Sequence, residues 1–285
     1  MLDILVQGLL LGGLYALFAL GLSLMFGVMR LTNIAHGDFI VLAGFGAIAL
    51  AGTVAAHPTL VGLAVLPLAF VLGYALQRYV LNGTLGKDPL PSVVVTFGLS
   101  IVIQNALQQI FSADPRSLPS GGFNTQSLAL GPLNVGALPL LILIAALACT
   151  VGLQWLFDRT ALGRSFRAVS DDKEIAELMG LESKKVYALA TGIAFLVIAL
   201  AGVLQAMRTT VSPSDGPLLL LFAFEAVIMG GMGSFWGTLV GALILGVVQQ
   251  IGFHIDPGWG IWFGHLIFLA VLVVRPQGLF PRTRG

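Results

Sequence analysis

The sequence predicts an all-α polytopic membrane protein of about nine transmembrane or re-entrant helices, with eight to ten compatible with the pattern. Three observations carry this. Hydrophobic residues make up 57% of the 285 positions and charged residues only 9%, with a mean hydropathy of +0.97. Soluble domains carry about 25% charge, so this chain has too little to cover a water-facing surface. The apolar residues come in continuous runs near the roughly 20 residues that a spanning helix needs, without the alternation of barrel strands. Finally, the basic residues fall almost entirely in alternate loops.

The predicted spans are 4–28, 39–56, 60–81, 92–111, 135–157, 186–207, 218–232, 235–253 and 259–274. The first lacks a basic leader and a small-residue cleavage site, and it is too long for a signal peptide, so it reads as a membrane helix. Spans 218–232 and 259–274 are short. Short, glycine-interrupted segments often form re-entrant or broken helices beside a cavity, or else stay buried by their neighbours. The loop 112–134, rich in Pro, Gly and Ser, reads as a connector or a partner-docking segment. Cys149, the sole cysteine, excludes an intrachain disulfide and reads as a small apolar residue. The whole chain, 1–285, reads as one transmembrane domain.

Charge sets the orientation. With the N-terminus outside and the C-terminus inside, the inner loops hold 12 of the 14 basic residues, namely Arg30, Arg78, Lys87, Arg159, Arg164, Arg167, Lys173, Lys184, Lys185, Arg275, Arg282 and Arg284. The outer side keeps only Arg116 and Arg208, a strong positive-inside bias.

The longest inner loop, 158–185, reads "DRTALGRSFRAVSDDKEIAELMGLESKK". Its basic residues include Arg164 and Arg167. Within it, 171–180 is predicted as one capped helix. Ser170 or Asp171 can accept from its first N–H groups, and Asp171, Asp172 and Glu174 sit near the positive end of its dipole. Ile175, Leu178 and Met179 form an apolar stripe, and Gly180 can stop it. Such a helix suits a groove on a soluble partner. Its acidity disfavours the alternative of lying on an anionic membrane surface.

Polar residues within the apolar runs are the candidate pathway or gate. In "NIAHGDF", at 33–39, Arg30 and His36 are expected to bracket a tight turn at the inner edge. Thr32 or Asn33 can cap the next helix, with Asp38 in its first turn; alternatively, His36 and Asp38 line an inner mouth. Metal binding is not predicted, because no third ligand lies nearby. Thr96, Ser100 and Gln104 form a polar stripe at i+4 steps, with Asn105 beside it. Glu225 is an intramembrane charge and hence a functional candidate by default. Its partner is open between Arg208, Gln104, Asn105 and a substrate ammonium, and His254 and His265 are assigned to another helix and the opposite face. Gly8 and Gly12, and Gly233, Gly237 and Gly241, space small residues for close helix packing.

Four motifs in order give the chain its resemblance. "NIAHGDF", "GRSFRAVSDDKEIAELMGLESKKV", "AVIMGGMGSFWGTLVGALILG" and "RPQGLF" together resemble ABC-transporter permeases of the branched-chain amino acid type, the LivH-type subunit. The resemblance covers almost the whole chain. It implies an importer of branched-chain amino acids or related small polar solutes in the bacterial inner membrane, with urea, short amides or aromatic acids as the alternative cargo. It implies a LivM-type second permease, two LivG/LivF-type ATPases that bind ATP and magnesium, and a periplasmic binding protein. It makes the inner loop the coupling segment. No G-x-x-x-x-G-K-[ST] occurs, so any ATPase must be another chain, and no cofactor or enzyme activity is expected in this one. An ion-coupled transporter would want several paired intramembrane charges, a passive channel would not need the long inner loop, and nothing points to nucleic acid.

Overall fold

The computed structural model describes residues 1–53, 58–86, 90–123, 126–130 and 133–280. Lys87, Arg282, Arg284 and the end of the predicted 39–56 span lie outside the described residues. Among the described residues eleven α-helices run in order: α1 (Leu2–Met29), α2 (His36–Thr53), α3 (Pro58–Tyr79), α4 (Leu90–Phe111), α5 (Ala137–Arg159), α6 (Ala161–Asp171), α7 (Lys173–Leu178), α8 (Ser183–Arg208), α9 (Gly216–Gly230), α10 (Phe235–Ile255) and α11 (Gly260–Val274). Among the described residues seven helices are long and apolar enough to cross a membrane, and α9 and α11 are shorter apolar helices.

A helix that is apolar all round belongs in an interior, and α1 is the central post, packed by α10, α8, α5 and α9. Glycine permits the closest of these contacts. A Cβ on Gly8 would lie 2.6 Å from the Cα of Val247, and one on Gly12 would lie 2.6 Å from the Cα of Leu243. Gly237 and Gly241 likewise seat α10 against Gly230 and Ala226 of α9. Gly233 departs from the expected four-residue repeat: its φ of 82° places it in the turn before α10, where the left-handed backbone itself calls for glycine. The glycine faces thus join helices within this chain. By contrast α3, α4 and α5 turn apolar side chains outward, among them Leu68, Val94, Val102 and Trp155.

The loops separate to two ends. At one end, Ser170 Oγ on α6 donates to the Gly27 carbonyl near the close of α1 at 2.8 Å, and Arg78 of α3 pairs with Glu182 at 2.8 Å. Phe157 packs on Phe235 there as well. At the other end, a two-stranded antiparallel hairpin, β1 (Ser127–Leu130) and β2 (Leu133–Gly136), precedes α5. Arg116 and Val211 pair their backbones in an isolated antiparallel bridge. The hairpin corrects the predicted span 135–157, which starts at Ala137 instead. Backbone that leaves the bundle interior must find its own hydrogen bonds, and here a strand pair supplies them.

Candidate functional site

Two features define the site: a polar notch inside the bundle and an exposed helix at the α6–α7 end.

The notch begins where α1 stops. Arg30 closes α1 with a left-handed backbone, φ 51°. The expected tight turn does not follow. Residues 30–35 run back along α1 instead, and His36 Nε2 donates to the carbonyl of Phe18 at 2.7 Å. Phe18 precedes the last residue of α1 by 11 positions, about 16 Å at 1.5 Å per residue. So α2 starts beside the middle of α1, and "NIAHGDF" is an interior segment rather than an edge turn. Asn33 accepts from the Ala35 N–H at 3.0 Å through Oδ1, which fixes the local bend. The Ile34 N–H donates to Thr96 Oγ1 at 3.2 Å. A carbonyl only accepts, so the His36 ring proton sits on Nε2.

Asp38 leaves α2 about 200° round from His36, at 100° per residue, toward α4 and α9. Its Oδ1 accepts from Gln104 Nε2 at 2.9 Å, and the same amide donates to Ser100 Oγ at 3.1 Å. The helices here touch through backbone: a Cβ on Gly37 would fall on the carbonyl oxygen of Gly216, and one on Gly216 would fall on the Asp38 carboxylate. The carboxylate therefore sits in the first turn of α2 and against the first residue of α9. Both are positive dipole ends, which favour an anion. Asp38 is 1% exposed, and its Oδ2 finds no partner among the described residues. The structure thus gathers Asn33, His36, Asp38, Thr96, Ser100 and Gln104 into one region. Asn105 is separate: it is exposed on the far side of α4 and bonds its own helix at Ile101.

Glu225 lies elsewhere, and its partner is none of those expected. It hydrogen-bonds His265 Nδ1 of α11. Far from facing away, His265 is brought to it because α11 packs on α9 and α10. Nearby, Tyr15 donates to Gln249 Oε1 at 2.6 Å and stacks on Phe222 of α9. Tyr15, Gln249 and His265 were findable as polar groups in apolar runs, the rule that singled out Glu225; Gly216 carried no such mark. Among the described residues no group of three His, Cys, Asp or Glu side chains is placed to hold a metal.

At the loop end the predicted helix 171–180 shortens to α7, and the residues before it form a separate helix, α6, that the sequence did not predict. α6 ends at Asp171, and Asp172, extended at φ −148°, caps α7 by accepting from the Ile175 N–H at 3.0 Å. Ser170 lies inside α6, so neither it nor Asp171 is the cap. Two adjacent aspartates let one helix end and the next begin without an intervening loop. Gly180, φ 87°, terminates the unit. Arg164, Asp171 and Glu174 are exposed, and Arg167 reaches toward Asp158 at 4.0 Å. α7 is anchored by buried Ala176 yet turns Ile175, Leu178 and Met179 to solvent, 60%, 86% and 80% exposed.

An apolar bundle with broken-helix starts and polar groups at half depth is a membrane transport architecture. The comparisons give the family. Residues 4–275 match the model described as "Branched-chain amino acid transport system / permease component", and the chain belongs to that family. It is 29% identical to the high-affinity branched-chain amino acid transport system permease protein BraD of Pseudomonas aeruginosa, over 98% of this chain and 95% of that one. It is 26% identical to LivH of Escherichia coli K12, a permease protein of the same description, over 97% and 94%. Its fold resembles the solved structure of PsaBC from Streptococcus pneumoniae in complex with Fab, with a TM-score of 0.53 and 12% identity over 96% of this chain and 92% of that one.

Proposed function

We propose that this chain is a LivH-type permease subunit of an ATP-driven importer of branched-chain amino acids in the bacterial inner membrane, with the N-terminus outside and the C-terminus inside. A LivM-type permease stands beside it, two ATPases carrying ATP and magnesium sit below, and a periplasmic binding protein delivers the cargo. The observation that carries this reading, beside the family, is α7. Ile175 and Leu178 on a six-residue helix, and Met179 directly after it, are largely exposed to water, and the helix is capped, anchored and stopped. Such a surface is a docking element. It shares its end of the bundle with Arg78, Arg159, Arg164, Arg167, Lys184 and Lys185, the side that the charge rule assigns to the cytoplasm. The route for solute runs past the α2–α4 notch, where Thr96, Ser100 and Gln104 meet Asp38. Glu225, bonded to His265, bridges helices.

The test is reconstitution. Affinity-tagged chain purified from its native membrane in mild detergent is expected to bring down a second permease and ATPases, identified by mass spectrometry. With the binding protein and leucine, vesicles of that complex are expected to take up substrate at least about tenfold faster with ATP than without, a difference of about 1.4 kcal/mol. Leucine uptake by this chain alone, driven by an ion gradient, would contradict the reading.

A further inference from the structure

We propose that Asp38, in the notch between α2, α4 and the first turn of α9, receives the ammonium group of the amino acid during passage, with Gln104 holding the other carboxylate oxygen. This rests on the reading that the α2–α4 notch borders the solute route.

The observations converge on a cation. Asp38 is buried; the Gln104 amide and the Ser100 hydroxyl both serve its carboxylate, and its Oδ2 has no hydrogen-bond partner among the described residues. Among the described residues no Lys or Arg pairs with it. A static role would not need the charge. Asn caps helices about as well as Asp, can bond Gln104, and is far less costly to place at membrane depth. What a carboxylate adds is an ionic acceptor, and a primary ammonium is a compact charge with three donors that can use one free oxygen. The two helix N-termini draw off part of the negative charge. That suits a transit site, which must hold its solute weakly enough to release it. α4 is also lightly held by the rest of this chain. α4 packs chiefly on α2, its far face carries exposed Phe97 and Ile101, and a Cβ on Gly98 would meet nothing within 4 Å.

The experiment uses the complete transporter in vesicles with radiolabelled leucine. Asp38→Asn is expected to cut ATP-driven uptake at least about tenfold, the factor that 1.4 kcal/mol represents, in a complex whose assembly is checked by gel filtration. Near-normal uptake by Asp38→Asn, beside a transporting wild type, overturns this role alone; a wild-type complex without ATP-driven uptake overturns the permease reading itself.

A second measurement holds even if Asp38→Asn assembles poorly. With Asp38 intact, Ser100→Cys in a Cys149→Ser background is treated with 2-aminoethyl methanethiosulfonate, a cation, and with 2-sulfonatoethyl methanethiosulfonate, an anion. Rates are normalised to those with a free thiol. The cation is expected to react about tenfold faster, by the same free-energy equivalence, and leucine is expected to slow it. Equal rates, or inertness in every nucleotide state, overturn the proposal.

Discussion

Hydrolysis of ATP without movement of amino acid is the expected result of the double substitution Ile175→Asp and Leu178→Asp. Both side chains stand in water in this subunit, 60% and 86% exposed, so their loss removes little from its own core. The Asp172 cap, the buried Ala176 and the Gly180 stop are untouched, and the chain should insert and assemble normally. The loss falls on the partner. Burying a Leu or Ile side chain contributes about 1.5–3 kcal/mol, and a carboxylate placed in the same groove must be desolvated without a partner. Transport should fall at least about tenfold, the effect of only 1.4 kcal/mol. Unchanged uptake in reconstituted vesicles would remove α7 from the coupling path.

A single methyl group at Gly37 should cost the protein its packing. The Cβ of Gly37→Ala would coincide with the carbonyl oxygen of Gly216, and it would also crowd the Leu220 N–H at 2.8 Å. Two backbones cannot yield as a side chain can, so α9 must move off α2. Overpacking of this kind costs about 1–3 kcal/mol, and the yield of monodisperse protein in detergent should drop severalfold. Gly46→Ala, on the same helix, is the control. Its Cβ meets nothing within 4 Å, and losing a helical glycine is worth about 0.5–1 kcal/mol in stability. Equal yields for the two variants would mean that α2 and α9 do not meet as described.

The difference between those two glycines shows where the sequence stops being legible. The apolar runs located the membrane helices well, because length and continuity of hydrophobic residues are local properties: α4 and α10 start within two residues of the predicted spans and end within two of them. The path of 30–35 was not legible. Whether a polar heptapeptide turns at the membrane edge or climbs back to Phe18 depends on what receives its polar groups, and those receivers are the Phe18 carbonyl and Thr96, far away in sequence. His265 was missed as the partner of Glu225 for the same reason, since 40 residues separate them. The break between α6 and α7 is a subtler failure. "SDD" offers three candidate caps, and propensity alone does not choose the third. In the hairpin, "SLALGPLNVG" alternates over a turn dipeptide, a strand signal overshadowed by the expectation of a plain connector.

If a soluble ATPase drives this membrane chain through α7, residue 178 must touch it in the assembled transporter. A cysteine placed at Leu178, in a Cys149→Ser background, tests it in the assembled transporter. Leu178→Cys is expected to cross-link to an ATPase subunit carrying a cysteine at its permease-facing groove, and a water-soluble maleimide is expected to reach the residue only after the ATPases are stripped away. A residue 178 that reacts with maleimide at the same rate in the assembled and the stripped transporter, with no cross-link in any nucleotide state, would contradict it.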